Sequence, residues 1–355
     1  MRVFSSLAAA RGQLSRSSIA VGNFDGVHLG HRRLLERAAT LAHPRGGESV
    51  MLTFDPHPAK VLAPALAPPL ICTTARKLEL AAACGIDAAI VQPFDAAFAA
   101  TPPDAFAAAL FATGLSEVVV GYDFSYGRGR AGDVTTLREA AQTHGAAVER
   151  IGPVQTGGLV VSSTRVRGFI TEGRVEAAAQ LLGRPFDVDG KVVRGVGRGK
   201  KLGFPTANLA IENELVPGLG VYAVRVRIGM KGPSISGAAN IGINPTFLPD
   251  VFPAVAPPPG SLLPSDSERG THPPPPPSEA GLAPPPGSLL PSLASLARSP
   301  LQVEVHLIDY SGDLYGQTLR VEFIQRLRVE RKFPSVDALR EQIARDIDEA
   351  RGLLT

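Results

Sequence analysis

The chain has 355 residues, which is enough for two domains with separate hydrophobic cores. Its formal net charge of +3 excludes a strong overall field for nucleic acid or an acidic membrane surface, so any phosphate binding must be local. The two cysteines fit neither a zinc motif nor a disulfide framework, and no apolar run approaches transmembrane length. We therefore expect a cytoplasmic protein that binds no nucleic acid and no membrane. As an alternative, the basic, serine-rich, acid-free residues 1–24 weakly resemble a transit peptide.

The first half of the chain alternates predicted strands with predicted helices. Strands are expected at residues 2–4, 18–22, 49–54, 88–94, 117–121 and 147–151, and helices at residues 6–14, from about 28, 76–84, 103–112, 135–144 and 174–183. This alternation predicts a parallel, doubly wound sheet, in which ligands bind beyond the carboxyl ends of the strands. Three segments lie at such ends, namely residues 23–31, 55–58 and 121–127.

Residues 18–35 combine a short apolar strand, a tight turn and the start of a helix. The first turn of that helix carries His28, Gly30 and His31. Backbone N–H groups at a helix start have no internal partner and carry partial positive charge, which favours phosphate. Two histidines three residues apart share one helix face, and a glycine lets a ligand approach the backbone. The stretch therefore predicts a site that holds a triphosphate.

Two other interpretations of the histidine pair stay open on spacing alone. The histidines could be ordinary surface residues, or metal ligands with Asp25 as the only local third ligand. The whole string GNFDGVHLGH at residues 22–31, however, resembles the H-x-G-H signature of nucleotidyltransferases, in the form found in bifunctional riboflavin kinase/FAD synthetases. The resemblance implies that His28 and His31 are catalytic in FMN adenylylation, and that Asn23 and Gly30 contact ATP.

Residues 127–132, GRGRAG, match the G-x-G-x-x-G pattern of dinucleotide-binding sites. The pattern favours an alternative function, an oxidoreductase that uses NAD. A Rossmann turn places its first glycine directly at the strand end, whereas here residues 122–126 intervene. Residues 121–127 are instead similar to the family's G-x-D-F-x-F-G string, with Tyr126 in place of the second phenylalanine. The resemblance assigns Asp123 to the nucleotide and flavin site.

Residues 161–167, VSSTRVR, precede a helical run, where serine and threonine are ordinary N-caps. A functional interpretation adds Arg167, which lies about one turn after Thr164. Hydroxyl groups, helix N–H groups and a guanidinium would then converge on one anion. The resemblance implies that Ser163, Thr164 and Arg167 hold the ATP phosphates.

From about residue 186 the hydrophobic period changes to alternation. Strands are expected around residues 188, 192–193, 209–211, 222–228 and 302–308, followed by one helix capped by Ser335 with an apolar face of Val336, Leu339, Ile343, Ile347 and Leu354. We therefore predict an α/β nucleotidyltransferase-type, Rossmann-like parallel-sheet domain at residues 1–184. A mainly antiparallel β-barrel domain with a C-terminal helix is predicted at residues 185–355.

Residues 194–203, RGVGRGKKLG, are basic and glycine-rich but do not form a Walker A loop, because no serine or threonine follows Lys200. Alone they favour a solvated hairpin. The residues that follow change this interpretation, since GFPTAN at residues 203–208 matches the riboflavin kinase G-x-P-T-A-N motif. The resemblance implies a riboflavin kinase domain and an ATP contact at Gly203.

Thr206 and Asn208 are candidate ligands of Mg²⁺. Residues two apart in an extended segment point the same way, and Mg²⁺ prefers hard oxygen ligands that it shares with substrate phosphates. The resemblance implies that both residues bind ATP with this metal, and it places the general base of the kinase at Glu304. On pattern alone, Glu304 is equally an ordinary residue on the polar face of a strand.

An insert at residues 251–299 interrupts the predicted barrel domain. It holds 14 of the 32 prolines of the chain, and the decapeptide APPPGSLLPS occurs twice, at residues 256–265 and 283–292. Such a segment cannot bury enough apolar area to offset its chain entropy, so we expect disorder with polyproline II stretches. An accidental duplication or a proline-rich docking site would each account for the repeat.

The motifs together predict a bifunctional enzyme. It would phosphorylate riboflavin from ATP to give FMN, and then adenylylate FMN from a second ATP to give FAD and pyrophosphate. Its partners would be riboflavin, FMN and ATP with Mg²⁺, the flavin being substrate and product and not a prosthetic group. The alternatives are the NAD-type oxidoreductase and a flavin- or nucleotide-binding regulator without catalysis. The sequence indicates no oligomeric state.

Overall fold

The computed structural model describes residues 1–195, 199, 202–229, 232–243 and 301–354. Its first half contains the strands β1 (Arg2–Phe4), β2 (Ser18–Val21), β3 (Ser49–Asp55), β4 (Ala88–Pro93), β5 (Glu117–Gly121), β6 (Ala147–Ile151), β7 (Gln155–Thr156) and β8 (Leu159–Val160). The helices are α1 (Leu29–Ala42), α2 (Pro58–Leu62), α3 (Thr74–Ala83), α4 (Ala96–Ala99), α5 (Pro103–Phe111), α6 (Val134–Thr143), α7 (Ser163–Thr171) and α8 (Val175–Leu182).

Six of these strands form one parallel sheet in the order β1-β4-β3-β2-β5-β6. The central strands β2, β3 and β5 are buried along most of their length, which explains their continuous apolar sequences. The chain runs outward from β2 through β3 to β4 and then crosses back to β5. The order therefore reverses between β2 and β5, and ligands of doubly wound sheets bind in the crevice at such a point. The predicted fold class is confirmed.

One predicted helix is absent from this half. Residues 6–14 do not form a helix: residues 7–12 are turns, and Gly12 has a φ of +65°. The segment is held by three buried side chains, Leu7, Ala10 and Leu14, which pack into the core on one side of the sheet. Tertiary packing of these side chains thus overrides the helical spacing of the sequence.

The second half is a closed six-stranded antiparallel barrel, as predicted. Its strands are β9 (Phe186–Val193), β10 (Ala207–Ile211), β11 (Gly220–Ile228), β12 (Ser234–Ile243), β13 (Leu301–Leu307) and β14 (Thr318–Arg328), in the order β10-β13-β12-β11-β14-β9. In β13 the side chains of Val303, Val305 and Leu307 are buried in the barrel. Glu304 and His306 therefore lie on the outer face, by the period of two of a strand.

The last helix, α9 (Val336–Leu354), covers one side of the barrel. As predicted, the Ser335 hydroxyl caps it by accepting the Ala338 N–H at 3.1 Å. Ile347 and Leu354 are buried on the barrel. The prediction for Val336 is wrong, because this residue is 61% exposed and the first turn lies outside the apolar cluster.

Two further predictions stay untested. The insert at residues 251–299 lies outside the described residues. The domain boundary between residues 184 and 185 falls between α8 and β9, where the chain passes from the sheet half to the barrel half. No helix among the described residues is long and apolar enough to cross a membrane.

Candidate active sites

The loop between β2 and α1 brings the two predicted catalytic histidines together. His28 is the N-cap of α1, and its Nδ1 accepts the backbone N–H of His31 at 3.2 Å, as a serine or aspartate cap would do. The two imidazoles stack with ring centroids 3.6 Å apart. Since Nδ1 of His28 accepts a hydrogen bond, the proton of the neutral ring is on Nε2.

Both imidazoles are neutral near pH 7. Burial lowers the pKa of His28 from 6.5 to about 4. The pKa of His31 lies well below 6.5, first because of burial and then because of the nearby His28, Lys77 and Arg167. Nδ1 of His31 is buried and has no hydrogen-bond partner among the described residues. The pair therefore offers neutral ring nitrogens, and it adds no positive charge of its own.

Gly30 allows the histidines to stack. A Cβ atom at this position would lie 3.1 Å from Cε1 of His28, closer than ordinary contact distance. The glycine thus makes room for the His28 ring at the start of α1. Its predicted contact with ATP stays a prediction.

Asp25 and Arg167 form a buried ion pair behind the loop. Oδ2 of Asp25 accepts a hydrogen bond from Nη2 of Arg167 at 2.6 Å, and Oδ1 of Asp25 accepts one from the Ile71 N–H at 2.9 Å. Nε of Arg167 donates to the Pro69 carbonyl at 2.9 Å. Two of the donors of Arg167 are therefore occupied within the protein, and its predicted role in phosphate binding stays a prediction.

Helix α7 places the predicted hydroxyl residues beside this loop. Its N-cap is Ser162, whose hydroxyl accepts the Arg165 N–H at 3.4 Å. The Ser163 hydroxyl donates to the Asp25 carbonyl at 3.1 Å, whereas Thr164 is exposed. Thr164 and Arg167 line an open groove of about 450 Å³. Of the three predicted residues, Thr164 therefore has the most accessible side chain.

Lys77 is a buried cation beneath the same loop, and the sequence reasoning missed it. The side chain is 4% exposed, and its Nζ donates to the Thr53 hydroxyl at 3.2 Å. Thr53 in turn donates to the Asn23 carbonyl at 3.1 Å, which connects Lys77 to a predicted ATP contact. Burial lowers the pKa of Lys77. No carboxylate among the described residues lies within 4.0 Å of Nζ, so this cation has no close counter-ion there.

The loop after β5 does not form a dinucleotide-binding turn. Strand β5 ends at Gly121, and Gly127 follows six residues later. Tyr126 and Gly132 close the intervening segment with two backbone hydrogen bonds of 2.9 Å. Helix α6 begins beyond this closed loop, capped by Asp133. The structure thus lacks the direct turn from strand to helix that a dinucleotide fingerprint requires.

Asp123 is exposed at the carboxyl end of β5. Its Oδ1 would lie 3.2 Å from a Cβ atom at Gly121, so the carboxylate folds back over the end of the strand. This end borders the crevice between β2 and β5. The predicted contact of Asp123 with the nucleotide stays a prediction.

A row of aromatic rings extends along the same end of the sheet. Neighbouring ring centroids are 5.3–6.2 Å apart through Phe54, Phe94, Phe98, Phe106 and Tyr126. Phe54 lies near the end of β3, Phe94 directly follows β4 and Phe98 lies in α4, and all three are partly exposed. Aromatic pairs at such distances attract one another and present flat apolar surface. The row is therefore a candidate surface for a flat ring system, and only its last member was named in the sequence analysis.

A second site lies on the outer face of the barrel. Asn208 of β10 and Glu304 of β13 are directly paired across the antiparallel ladder, which places both side chains on one face. Thr206 precedes Asn208 by two residues and shares its direction. The ring of His306 is held at this edge by the Pro205 carbonyl, 2.8 Å from Nδ1. The structure thus brings three of the predicted kinase residues together.

Glycines pack closely over these residues. A Cβ atom at Gly199 would lie 2.8 Å from the Thr206 hydroxyl, and one at Gly195 would lie 2.1 Å from the Asn208 amide. The Phe204 N–H donates to the Gly199 carbonyl at 2.9 Å, and Gly203 has a φ of +91°. The glycines of the basic stretch are therefore needed for the close approach of its backbone to the motif.

The donor set fits Mg²⁺ shared with a substrate. The hydroxyl of Thr206 and the amide oxygen of Asn208 are hard ligands, and the Glu304 carboxylate is on the same face. Among the described residues no three His, Cys, Asp or Glu side chains are grouped to hold a metal. The candidate ligands on this face are therefore two uncharged oxygens and one carboxylate.

The comparisons with known proteins identify two families along the chain. The family model for FAD synthetase matches residues 11–165, and the family model for riboflavin kinase matches residues 182–252 and 286–354. A bifunctional riboflavin kinase/FMN adenylyltransferase of Escherichia coli (strain K12) is 33% identical over 335 residues, 94% of this chain and 91% of that protein. The chain belongs to the bifunctional riboflavin kinase/FMN adenylyltransferase family. The prediction from the motifs is confirmed.

Other relatives extend this result. A protein of the same name from Bacillus subtilis (strain 168) is 30% identical, with 95% of this chain and 92% of that protein covered. A solved structure described as a macrolide-efflux protein from Streptococcus pneumoniae has a TM-score of 0.75 and 26% identity, and the match covers 98% of each chain. The riboflavin kinase match leaves out residues 253–285, which fall inside the predicted insert.

Proposed function

We infer that this chain makes FMN from riboflavin and FAD from FMN, with ATP as the donor in both reactions. The observation that carries the inference is the presence of two separate family matches on one chain, each with its motif residues gathered at one place. The sheet half would be the FMN adenylyltransferase and the barrel half the riboflavin kinase, with the boundary between residues 184 and 185. Flavin is substrate and product in this scheme.

Adenylylation takes place at the start of α1. A phosphate oxygen of FMN attacks the α-phosphorus of ATP, a new P–O bond forms, and the bond to the departing pyrophosphate breaks. His28 and His31 supply neutral ring N–H donors to the phosphates, and the first N–H groups of α1 add their partial positive charge. Donors that are already fixed before reaction stabilise the developing charge without reorganising.

The remaining predicted residues have supporting roles in adenylylation. Asn23 and Gly30 lie in the same loop and first turn as the histidines, and Ser163 and Thr164 lie at the start of the adjacent α7. We assign the flavin ring to the aromatic row that begins at Phe54, because a flat ring gains from stacking on flat apolar surface. Asp123 would contact the nucleotide from the end of β5.

Phosphorylation takes place on the outer face of the barrel. The Glu304 carboxylate accepts the proton of the terminal ribityl hydroxyl as the oxygen attacks the γ-phosphorus, and ADP leaves. Thr206 and Asn208 would hold Mg²⁺ together with the phosphates, and Gly203 would let the backbone approach ATP. The metal when bound neutralises phosphate charge and orients the transferred group.

We place both reactions in the cytoplasm, without nucleic-acid or membrane partners. Two observations support this location and these partners. Cys72 and Cys84 are both free thiols, which suits a reducing compartment. The formal net charge of +3 is small for 355 residues, so it gives little general attraction to polyanions.

One experiment tests the proposed function. Purified protein is incubated with riboflavin, ATP and Mg²⁺, and the flavins are separated by chromatography. We expect FMN and then FAD. His31→Ala should retain FMN formation and lose FAD formation by about 10²–10³-fold. Glu304→Gln should lose FMN formation by about 10²–10⁴-fold and still convert supplied FMN to FAD.

The controls separate the candidate functions. His144→Ala changes an exposed histidine on the α6 side of the sheet and should affect neither reaction. NAD turnover without flavin phosphorylation would favour the oxidoreductase. Flavin binding without turnover would favour the regulator.

A further inference from the structure

A single buried carboxylate of the barrel half holds two arginines that come from the sheet half and from the junction. Asp187 of β9 is 3% exposed. It accepts two hydrogen bonds from Arg76 of α3, at 2.7 and 3.1 Å, and one from Arg184 at 3.2 Å. A buried charge of this kind is stable only when its partners are held in place, so Asp187 fixes the positions of both guanidinium groups.

Arg184 extends from this carboxylate to the adenylylation loop. Its Nη2 donates to the Gly26 carbonyl at 3.1 Å, while Nη1 bonds Asp187. Gly26 has a φ of +80° in the turn before α1. Gly183, the residue before Arg184, packs so closely on α1 that a Cβ atom at this position would lie 2.5 Å from Cδ2 of Leu29. The junction is therefore fitted against the first turn of the helix that carries the histidines.

Arg76 provides a second connection to the same loop. The next residue in α3 is Lys77, whose Nζ bonds the Thr53 hydroxyl, and this hydroxyl donates to the Asn23 carbonyl. The turn from Asn23 to Gly26 is thus held at both ends. Gly26 is bonded by Arg184, which bonds Asp187, and Asn23 is bonded by Thr53, which contacts Lys77, the neighbour of Arg76 in α3. Because α1 begins directly after this turn, a shift of either end would move His28 and His31.

We propose that Asp187, acting through Arg184 and Arg76, positions the adenylylation loop, so that a residue of the kinase barrel sets the geometry of FAD formation. The inference rests on the proposed function of the loop. Asp187 is a positioning residue, since it acts only through the two arginines. Displacing reacting groups by about 1 Å can cost on the order of 10²-fold in rate, so the effect should be large.

Asp189 provides a matched control. It lies two residues later on β9, is 7% exposed, and accepts a bidentate pair from Arg320 at 2.7 and 2.8 Å. Arg320 also bonds Glu79 of α3 at 2.7 Å. Asp189 therefore joins the same two halves of the protein at similar depth. Glu79 also accepts a hydrogen bond from Nη1 of Arg76 at 2.8 Å, so the contacts of Asp189 reach Arg76 only through Arg320 and Glu79. Asp189 itself bonds neither Arg76 nor Arg184.

The test uses the full-length chain with Asp187→Asn, Asp189→Asn and Arg184→Met. For each variant, kcat and KM for ATP are measured for FMN to FAD, and FMN formation is measured on the same preparation. We expect Asp187→Asn and Arg184→Met to lower kcat/KM for FAD formation by about 10- to 10²-fold, with a raised KM for ATP and unchanged FMN formation. Asp189→Asn should leave both reactions close to wild type. Partial unfolding would instead lower kcat of both reactions and leave KM unchanged.

Three outcomes would contradict this inference. If Asp187→Asn and Asp189→Asn behave alike in FAD formation, the loop is not positioned by Asp187. If Asp187→Asn does not fold, Arg184→Met decides, because it leaves the pair of Asp187 and Arg76 intact, and wild-type FAD formation in that variant overturns the inference. If the wild-type protein forms no FAD at all, the proposed function itself is wrong.

Discussion

Acidification should destabilise this protein through the buried histidine at the start of α1. His28 is 6% exposed, and burial lowers its pKa from 6.5 to about 4. In the unfolded chain the same imidazole takes up its proton near pH 6.5, so the folded state binds fewer protons between the two values. The stability that comes from keeping His28 neutral is therefore fully present above pH 6.5 and is lost as the pH falls through that range.

The size of this effect follows from the two pKa values. Each pKa unit corresponds to about 1.4 kcal/mol, so His28 alone should lower the free energy of unfolding by about 2 kcal/mol at pH 5 and about 3 kcal/mol at pH 4. The total stability of a domain is about 5–15 kcal/mol, so this loss is a substantial fraction.

The matched variant is His28→Asn, because asparagine keeps an acceptor at the N-cap of α1 and does not titrate. Urea unfolding at pH 8, 6, 5 and 4.5 measures the free energy of unfolding of both proteins. We expect the wild-type curve to fall more steeply below pH 6.5, while His144→Asn, a change at an exposed histidine, follows the wild type. Parallel curves for wild type and His28→Asn would refute the argument that His28 is buried in its neutral form.

Three further predictions test other parts of the structure. Lys77→Met should lower FAD formation by about 10- to 10²-fold and leave FMN formation unchanged. Its Tm should be equal to or higher than that of the wild type, since an apolar side chain replaces a buried amine without a counter-ion. Normal FAD formation would contradict this prediction, and Lys60→Met on the surface is the control. Asn208→Ala should raise the Mg²⁺ concentration needed for half-maximal FMN formation by about 10- to 10²-fold, measured by Mg²⁺ titration, with FAD formation from FMN as the control. Replacing residues 251–299 with a short Gly-Ser turn should keep both activities and raise Tm, because shortening a loop from about fifty-five to about eight residues regains on the order of 2 kcal/mol; a folded variant without kinase activity would show that the insert contributes to the site.

Local sequence signals were sufficient for most of the fold. The strand of residues 18–21 and the helix that follows are visible because an apolar run, a turn and a helical period succeed one another within one short stretch. The barrel is visible because alternation in segments such as Leu301–Leu307 matches one buried and one exposed face. The conformation of residues 6–14 and the burial of Val336 were mispredicted. Both predictions used a local helical pattern, whereas packing in three dimensions decides conformation and burial.

The electrostatic contacts of the site could not be predicted in the same way. Arg167 bonds Asp25 across 142 residues, and Arg76 bonds Asp187 across 111 residues. The local pattern of a helix gives little indication of whether a lysine faces a strand or faces solvent. For Lys77 the one local sign is Ala81, a buried residue one turn later on the same face of α3. Such partners become visible only when the topology brings distant segments together.

These contacts change the electrostatic picture of the adenylylation site. From the sequence, two histidines and Arg167 were expected to meet the negative charge of ATP. In the structure both imidazoles are neutral and Arg167 is paired with Asp25, so the positive charge must come from elsewhere. The described residues offer the start of α1 and Lys77, whose contact with Thr53 leaves its charge unneutralised. The loop therefore has to hold neutral donors in accurate positions, because donors without net charge stabilise a transition state only when they are already aligned with it. This requirement gives a physical reason for holding both ends of the turn by hydrogen bonds from buried groups, Asn23 through Thr53 and Lys77, and Gly26 through Arg184 and Asp187.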